Sequence, residues 1–305
     1  MFKKAERKQA KLRLCLTGPS GSGKTFSSLK IAGALPASGV TPKIAMIDTE
    51  NRSAELYAHL VDFDVAQLTP PYHPQRYIDL INAASQSGYE VLIIDSLSHG
   101  WIGEGGMLDQ HQKITQSRKD HNSFAAWQDV TPMQNRLISA IMSAPLHIIA
   151  TLRTKTAWEV VENVQGKKAP VKVGLTPQQR EGLDYEFTVV LDLSPDGHVA
   201  TASKDRTGLF DGQHFVPGME TGQKLSKWLL SGADPGVATD TLVGLFANCD
   251  SLATLKNLWR QHEPDINAHH PDDINALKNA WLARKATLVG KLNNHQCENA
   301  HPSTN

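Results

Sequence analysis

The chain has 305 residues, with 31 basic and 31 acidic side chains and a formal net charge of zero. A neutral chain has no global field that attracts nucleic acid, so any site for a polyanion must be a local patch. Its 40% apolar content supports a sizeable core, its three cysteines lie far apart, and no apolar run approaches a membrane span. We therefore expect about two domains, a cytoplasmic location, and neither disulfides nor a membrane.

A phosphate-binding loop follows the first predicted strand, Leu12–Thr17, and precedes a predicted helix, Phe26–Leu35. Glycines in such a loop let backbone N–H groups curl around a phosphate at the positive end of a helix dipole. Lys24 would supply positive charge to the outer phosphates, and the Thr25 hydroxyl would be a ligand for Mg²⁺. The sequence therefore predicts a nucleoside triphosphate site on the G-x-x-x-x-G-K-[ST] segment Gly18-Pro19-Ser20-Gly21-Ser22-Gly23-Lys24-Thr25.

The next part of the chain alternates apolar strands with helices. Apolar strands that alternate with helices indicate a parallel sheet covered by helices on both faces. The predicted elements are a strand at Lys43–Asp48, a helix at Ser53–Leu60, a strand at Phe63–Leu68, a helix at Gln75–Ser87 and a strand at Tyr89–Asp95.

Two acidic side chains stand at the ends of these strands, where ligands bind in open α/β sheets. Asp95 ends an apolar strand and would hold Mg²⁺, usually through water. Glu50 is our choice for the group that orients or activates water, and Glu104 and Asp48 are its competitors. The alternative is that Glu50 has no catalytic role and is a carboxylate at a helix N-terminus, where the helix dipole favours negative charge.

The remaining chain divides into a loop-rich stretch, further strands and a helical module. We expect a long glycine-containing stretch over Ser96–Asp129, and a helix that Thr131 and Pro132 open and that runs to Ala144. Later elements are a strand at Leu146–Thr151, a turn at Gln165–Lys168, a turn of helix at Thr176–Gly182, antiparallel strands at Tyr185–Leu193 and His198–Ser203, and a helix at Gly222–Leu230. The predicted boundaries are 1–231 for the domain that carries the phosphate loop, 232–239 for a linker, 240–290 for two or three helices and 291–305 for a disordered tail.

The order of motifs resembles that of the RecA-like ATPases: a phosphate loop, then Asp48-Thr49-Glu50, then Asp95-Ser96. The resemblance implies a RecA-like α/β fold that binds ATP and Mg²⁺, with Glu50 catalytic and Asp95 serving the metal. It implies a terminal-phosphate sensor at Thr151 or Arg153, where the family usually has glutamine. It also implies that Lys204 and Arg206, in Ser203–Gly208, reach a neighbour's nucleotide in a ring or filament of identical subunits.

Over Lys11–Leu230 the chain is similar to phage-encoded RecA-like ATPases of the single-strand-annealing recombinase group. In RecA-like recombinases two mobile loops touch DNA, and here they would be residues 100–129 and 154–174. Lysine and arginine side chains in these loops could bind the phosphates of the strand, while aromatic rings stack on its bases. The residues concerned are Trp101, Lys113, Arg118, Lys119 and Trp127, then Arg153, Lys155, Trp158, Lys167, Lys168 and Lys172.

The resulting hypothesis is an ATPase of the bacterial host cytoplasm that binds single-stranded DNA and promotes annealing or strand pairing. Other recombination or replication proteins are candidate partners. One rival is a remodelling ATPase of the helicase-loader kind, whose partner is another protein. A second rival is a small-molecule kinase, which is disfavoured because no arginine-rich lid segment is evident and Glu50 is placed to act on water.

Overall fold

A computed structural model describes residues 5, 7–35, 42–162, 168–232, 239–268 and 271–298. The chain divides into two compact units. One is Ala10–Gly232, and the other combines the described residues of Met1–Gln9 with those of Ala233–Asn305. The division near Gly232 lies at the start of the predicted linker, while the residues before Ala10 group with the second unit rather than with the predicted ATPase domain.

Among the described residues, the first unit contains a nine-stranded sheet. Its strands are β1 (Arg13–Gly18), β2 (Ile44–Asp48), β3 (Asp64–Gln67), β4 (Val91–Asp95), β5 (His147–Glu162), β6 (Lys168–Pro177), β7 (Val189–Leu193), β8 (Ala200–Asp205) and β9 (His214–Phe215). The strand order is β3-β2-β4-β5-β1-β7-β8-β9, and β6 pairs with β5 outside this path. Strands β3 to β7 along that path pair in parallel, whereas β5–β6, β7–β8 and β8–β9 are antiparallel. The fold is thus the predicted mainly parallel sheet.

Helices cover both faces of the sheet, which explains why β1, β2 and β4 are buried at every position. Strands with no solvent-facing side read as continuous apolar runs, as the sequence indicated. The helices are α1 (Lys24–Ala32), α2 (Pro74–Gln86), α3 (His99–Ile102), α4 (Met107–Ser117), α5 (Ser123–Ser143) and α6 (Met219–Leu230), with 3-10 turns at Ser53–Tyr57 and Leu183–Glu186. Residues of α2 and α5 pack with one core cluster and residues of α1 and α6 with the other.

The stretch predicted as a long loop is mostly helical, because α3, α4 and the start of α5 lie within it. The prediction that Pro132 opens a helix is wrong: α5 begins at Ser123, where the Asn122 side chain accepts the Ala125 N–H at 3.0 Å. A proline inside a helix removes one backbone hydrogen bond. Burial of one face, including Ala126, Val130 and Leu137, offsets that loss.

Strand β5 runs beyond the sheet and forms a hairpin arm with β6. The two strands pair antiparallel from Thr154–Pro177 to Glu162–Lys168. Of the predicted turn at Gln165–Lys168, residues 165–167 lie outside the described residues. The helical turn expected at Thr176–Gly182 is wrong, because β6 continues to Pro177 and the 3-10 turn comes later.

The second unit is helical, as predicted, but with four helices among the described residues instead of two or three. They are α7 (Thr239–Ala247), α8 (Leu252–Gln261), α9 (Glu263–Ala268) and α10 (Pro271–Glu298), and they share a core that includes Leu242, Phe246, Leu255 and Leu277. Helix α10 continues into the segment 291–305 for which the sequence predicts disorder. A helix already nucleated extends more easily than a new one starts. No helix in the described ranges is long and apolar enough to span a membrane.

Candidate nucleotide site

The predicted phosphate loop has the backbone shape that its glycines allow. Strand β1 ends at Gly18 and α1 begins at Lys24, with Gly21 at φ 77° and Gly23 at φ 86°. These left-handed conformations favour glycine. At Gly18 a Cβ would lie 2.7 Å from the Leu193 carbonyl oxygen. The loop is therefore a narrow turn that leads into the N-terminus of α1. Backbone N–H groups at a helix N-terminus can bind a phosphate.

Lys24 is held inside this loop. Its Nζ donates hydrogen bonds to the carbonyl oxygens of Gly18 (2.9 Å) and Pro19 (2.8 Å), and the residue is 9% exposed. Burial lowers the pKa of Lys24, while the Asp95 and Glu50 carboxylates raise it. The ammonium thus lies where the loop would surround phosphate oxygens.

Three polar side chains from separate helices and strands meet beside the loop. Thr25 Oγ1 donates to Asp95 Oδ2 at 2.5 Å, and Thr151 Oγ1 donates to Asp95 Oδ1 at 2.5 Å. Burial raises the pKa of Asp95, and the two hydroxyl hydrogen bonds lower it. Oxygen ligands of this kind suit Mg²⁺, so the two predicted metal residues, Thr25 and Asp95, are adjacent in the fold and fit the ion.

Glu50 faces the same cavity, and its carboxylate is bound by Arg153. Arg153 Nε donates to Oε1 at 2.8 Å, and Nη2 contacts Oε2. The competitor Asp48 is occupied elsewhere, because its Oδ1 accepts the Glu50 N–H (2.5 Å) and its Oδ2 the Gln67 amide (3.1 Å). The other competitor, Glu104, does not line the cavity. Among the three candidates Glu50 alone lines the cavity.

The cavity of about 390 Å³ also contains residues that the sequence interpretation missed. Phe26 and Tyr57 form an edge-to-face pair with centroids 6.0 Å apart. Thr154 Oγ1 is buried, and no hydrogen-bond partner for it exists among the described residues. An unpaired hydroxyl in a cavity beside a phosphate loop fits a site that receives a polar ligand. The cavity is lined by Ser20, Gly21, Gly23, Lys24, Thr25, Phe26, Glu50, Ser53, Tyr57, Asp95, Arg153, Thr154 and Gln178.

Lys204 and Arg206 lie away from this cavity but close to each other. Lys204 Nζ donates to the carbonyl oxygens of Asp184 (2.8 Å) and Tyr185 (2.5 Å), and Arg206 Nη2 donates to that of Tyr185 (3.0 Å). Neither residue is among those that line the cavity. Both side chains thus bind the same carbonyl oxygen, and their role across a subunit interface stays a prediction.

The residues predicted to contact DNA have different neighbours in the structure. Trp101 and Trp127 stack at 5.8 Å, whereas Lys113 pairs with Asp109 and Arg118 with Asp120 and Asp129. Arg153 points into the nucleotide cavity instead of a DNA loop. The side chains of Trp158, Lys168 and Lys172 are not described, and Lys167 lies outside the described residues.

Trp127 forms one wall of a surface groove of about 1170 Å³, which we name the aromatic groove. Arg180, a residue that the sequence interpretation missed, lies over the Trp127 ring at 5.7 Å and donates to Thr131 Oγ1 at 3.2 Å. Phe124 is 86% exposed and Tyr185 71% exposed. The groove is lined by Trp101, Phe124, Trp127, Gln128, Thr131, Pro132, Arg180, Glu181, Gly182, Asp184 and Tyr185.

Comparison with known proteins finds one matching sequence family, described as the AAA domain, over residues 10–218. Among solved structures, the KaiC-like protein PH0186 from the hyperthermophilic archaeon Pyrococcus horikoshii OT3 is 15% identical, with a TM-score of 0.38. That match covers 68% of this chain and 93% of the other, and a likeness this weak supports no inference about function. A comparison with proteins of curated function found no match.

Proposed function

The chain belongs to the AAA-domain family of phosphate-loop ATPases, and from that premise we propose that it is a DNA-stimulated ATPase. It hydrolyses ATP with Mg²⁺, binds single-stranded DNA and promotes annealing or strand pairing in phage-type recombination.

The proposed hydrolysis assigns a role to each group in the cavity. The loop N–H groups and Lys24 would bind the phosphates, and Thr25 and Asp95 would hold Mg²⁺, an ion that supplies positive charge to the outer phosphates. Glu50 orients a water molecule and accepts its proton. The aromatic pair Phe26 and Tyr57 gives the cavity an apolar wall, which suits a nucleobase.

The aromatic groove is the observation that supports single-stranded DNA as the partner. Exposed rings at Phe124 and Tyr185 offer faces on which bases can stack, whatever the base. Arg180 in the groove offers a cation for the phosphates between the bases. Duplex DNA has its bases stacked internally, so exposed rings favour the single strand.

The test is ATP turnover by the full chain with and without a single-stranded oligonucleotide, together with binding of that oligonucleotide at increasing salt. We expect stimulation of turnover and an affinity that falls steeply with salt. Phe124→Ala and Tyr185→Ala should each weaken binding about tenfold, the loss expected from one stacking platform. The matched control is Val216→Ala, which trims another exposed apolar side chain, 61% exposed and outside the groove.

Other outcomes support the two rivals. A protein-remodelling ATPase would be supported if DNA does not change ATP turnover, and if neither salt nor the groove variants change the affinity for the oligonucleotide. Transfer of phosphate from ATP to a small acceptor instead of water would support a kinase.

The proposal includes assembly into a homo-oligomer with shared sites. Phosphoryl transfer develops negative charge, and a cation supplied by a neighbouring subunit accelerates such reactions by about 10³- to 10⁵-fold. Lys204 and Arg206 are the candidates. Neither residue lines the nucleotide cavity of its own subunit, so each would act on the nucleotide of a neighbouring subunit. Glu50→Gln and Arg206→Ala should each be nearly inactive, and mixing them should restore part of the activity. Two inactive variants that stay inactive after demonstrated subunit exchange would exclude the shared site.

A further inference from the structure

Thr49 joins the ends of two strands that each carry a carboxylate of the nucleotide site. It stands directly before Glu50 and is 3% exposed. Its N–H donates to the Asp95 carbonyl oxygen at 2.8 Å, and its Oγ1 accepts the Ser96 N–H at 2.8 Å. The main chain beside Glu50 is therefore bound to the main chain at Asp95, which fixes the points from which both carboxylates extend.

His99, the first residue of α3, holds the Thr49 hydroxyl in place. Its Nδ1 lies 2.6 Å from Thr49 Oγ1, whereas the Ser96 carbonyl oxygen, which could also accept the hydroxyl proton, lies at 3.3 Å. The shorter contact takes the proton, which assigns Nδ1 as an acceptor and places the ring proton on Nε2. Burial and the Arg153 guanidinium lower the pKa of His99, against an opposing effect of the Glu50 carboxylate, so the ring is neutral at pH 7, as this assignment requires.

Tyr72 fixes the ring of His99 from one side. The two rings stack with centroids 4.9 Å apart and planes 20° from parallel, and Tyr72 is 9% exposed. Gly103 permits this packing, because a Cβ there would lie 2.6 Å from both the Tyr72 ring and the His99 carbonyl oxygen. Neither His99 nor Thr49 is among the residues that line the nucleotide cavity. Any effect of the His99 side chain on a bound nucleotide is therefore indirect, and its hydrogen bond to Thr49 provides the route.

We propose that His99 is a positioning residue for hydrolysis, which acts through Thr49 to set the Glu50 carboxylate relative to the metal-binding Asp95. A displacement of about 1 Å in a reacting group can slow a reaction about a hundredfold, whereas the phosphate loop would bind ATP without this contact. The contact therefore serves the rate of hydrolysis and not the affinity for the nucleotide. This inference rests on the proposed ATP hydrolysis and adds the residues that fix its geometry.

The test measures single-turnover hydrolysis and ATP affinity of the full chain with Mg²⁺ and without DNA. His99→Phe keeps a ring against Tyr72 but removes the acceptor, so hydrolysis should slow about ten- to a hundredfold while ATP affinity stays unchanged. Thr49→Val removes the hydroxyl with little change of shape and should have the same two effects. The double variant should be no slower than the slower single variant, because the two residues act as a unit.

Rescue variants and a matched control separate this role from a general loss of structure. Thr49→Ser keeps the hydroxyl and His99→Asn keeps an acceptor, so each should hydrolyse ATP faster than the variant that removes the group at the same position. His214→Phe removes another His–Thr hydrogen bond, the one to Thr201 at 3.0 Å between β9 and β8. This control should leave both the rate and the affinity unchanged.

The possible failures of the inference and of the proposed hydrolysis can be told apart. An unchanged rate in His99→Phe, or an equal loss of ATP affinity and rate, would overturn the inference while leaving the proposed hydrolysis in place. A wild-type chain that binds ATP but releases no inorganic phosphate from it would overturn the proposed hydrolysis and, with it, this inference.

Discussion

Charged side chains lie at both ends of the parallel sheet, but they are satisfied in different ways. At the amino end, Arg13 is 4% exposed and donates to four carbonyl oxygens, those of Leu12 (2.9 Å), Met142 (3.0 Å), Ala144 (2.5 Å) and Leu146 (2.8 Å). At the carboxyl end, Arg153 is bound to the side chain of Glu50 across a cavity.

The difference separates groups that stabilise the fold from groups that can respond to a ligand. Carbonyl oxygens of fixed main chain cannot move away from Arg13, and a buried guanidinium that lost them would be costly. The Glu50 carboxylate, on a side chain that is 23% exposed, can move away from Arg153 and be replaced by another anion. The two ends should therefore respond in opposite ways to mutation: the carboxyl end in binding and turnover, and the amino end in stability.

The largest effect is expected for Lys24→Ala, at the carboxyl end. The loop would lose the charged group that it holds against its own carbonyl oxygens, so tight nucleotide binding should be abolished. Nucleotide titration measures this, and thermal unfolding should show a fold of nearly wild-type stability. Unchanged nucleotide affinity would contradict the phosphate-loop assignment.

Glu50→Gln should slow steady-state turnover by about a hundredfold or more while ATP stays bound, the loss expected when a general base is removed. Single-turnover hydrolysis and nucleotide titration on the same preparation separate the two quantities. Glu104→Gln is the control, since Glu104 does not line the cavity. The assignment is wrong if Glu104→Gln reduces turnover and Glu50→Gln does not.

Arg13→Met tests the amino end and should lower the free energy of unfolding by roughly 2–3 kcal/mol, because four buried carbonyl oxygens lose a charged donor. Methionine keeps the apolar stem of the side chain in place. ATP and ADP affinities should stay at wild-type values. Urea unfolding measures the first quantity and nucleotide titration the second. A change in affinity without a change in stability would remove the contrast between the two ends.

The smallest effect is expected from His147, also at the amino end, whose Nδ1 accepts the Leu12 N–H at 3.0 Å. Burial lowers the pKa of His147 from 6.5 to about 4. Between these values the unfolded chain binds the proton and the folded chain does not, so stability falls as pH falls. The loss from this group between pH 7 and pH 5 should be about 2 kcal/mol.

His147→Asn retains an acceptor for the Leu12 N–H and does not titrate, so its stability should fall less than that of the wild type over the same pH range. Urea unfolding of both chains at pH 7 and pH 5 measures the difference. Equal losses in the two chains would show that His147 does not cause the acid sensitivity.

The fold class and the core of the site could be predicted because their signals are local. A glycine-rich loop between a strand and a helix, and apolar strands that end in carboxylates, each occupy a few consecutive residues. Pro132 shows where such signals fail: its local preference for the start of a helix is overridden by the buried face of α5.

The sequence by itself determined the phosphate loop, the sheet that carries it, and the presence of Asp95 and Glu50 at one edge, because residue type and short spacing fix backbone conformation there. Only the tertiary structure decided which groups meet: Arg153 with Glu50, 103 positions apart in the chain, and Arg180 with Trp127 in the aromatic groove. Contacts between distant segments depend on strand order and packing, which no local spacing encodes. The partners of each charge, and with them the difference between the two ends of the sheet, therefore follow from the folded chain alone.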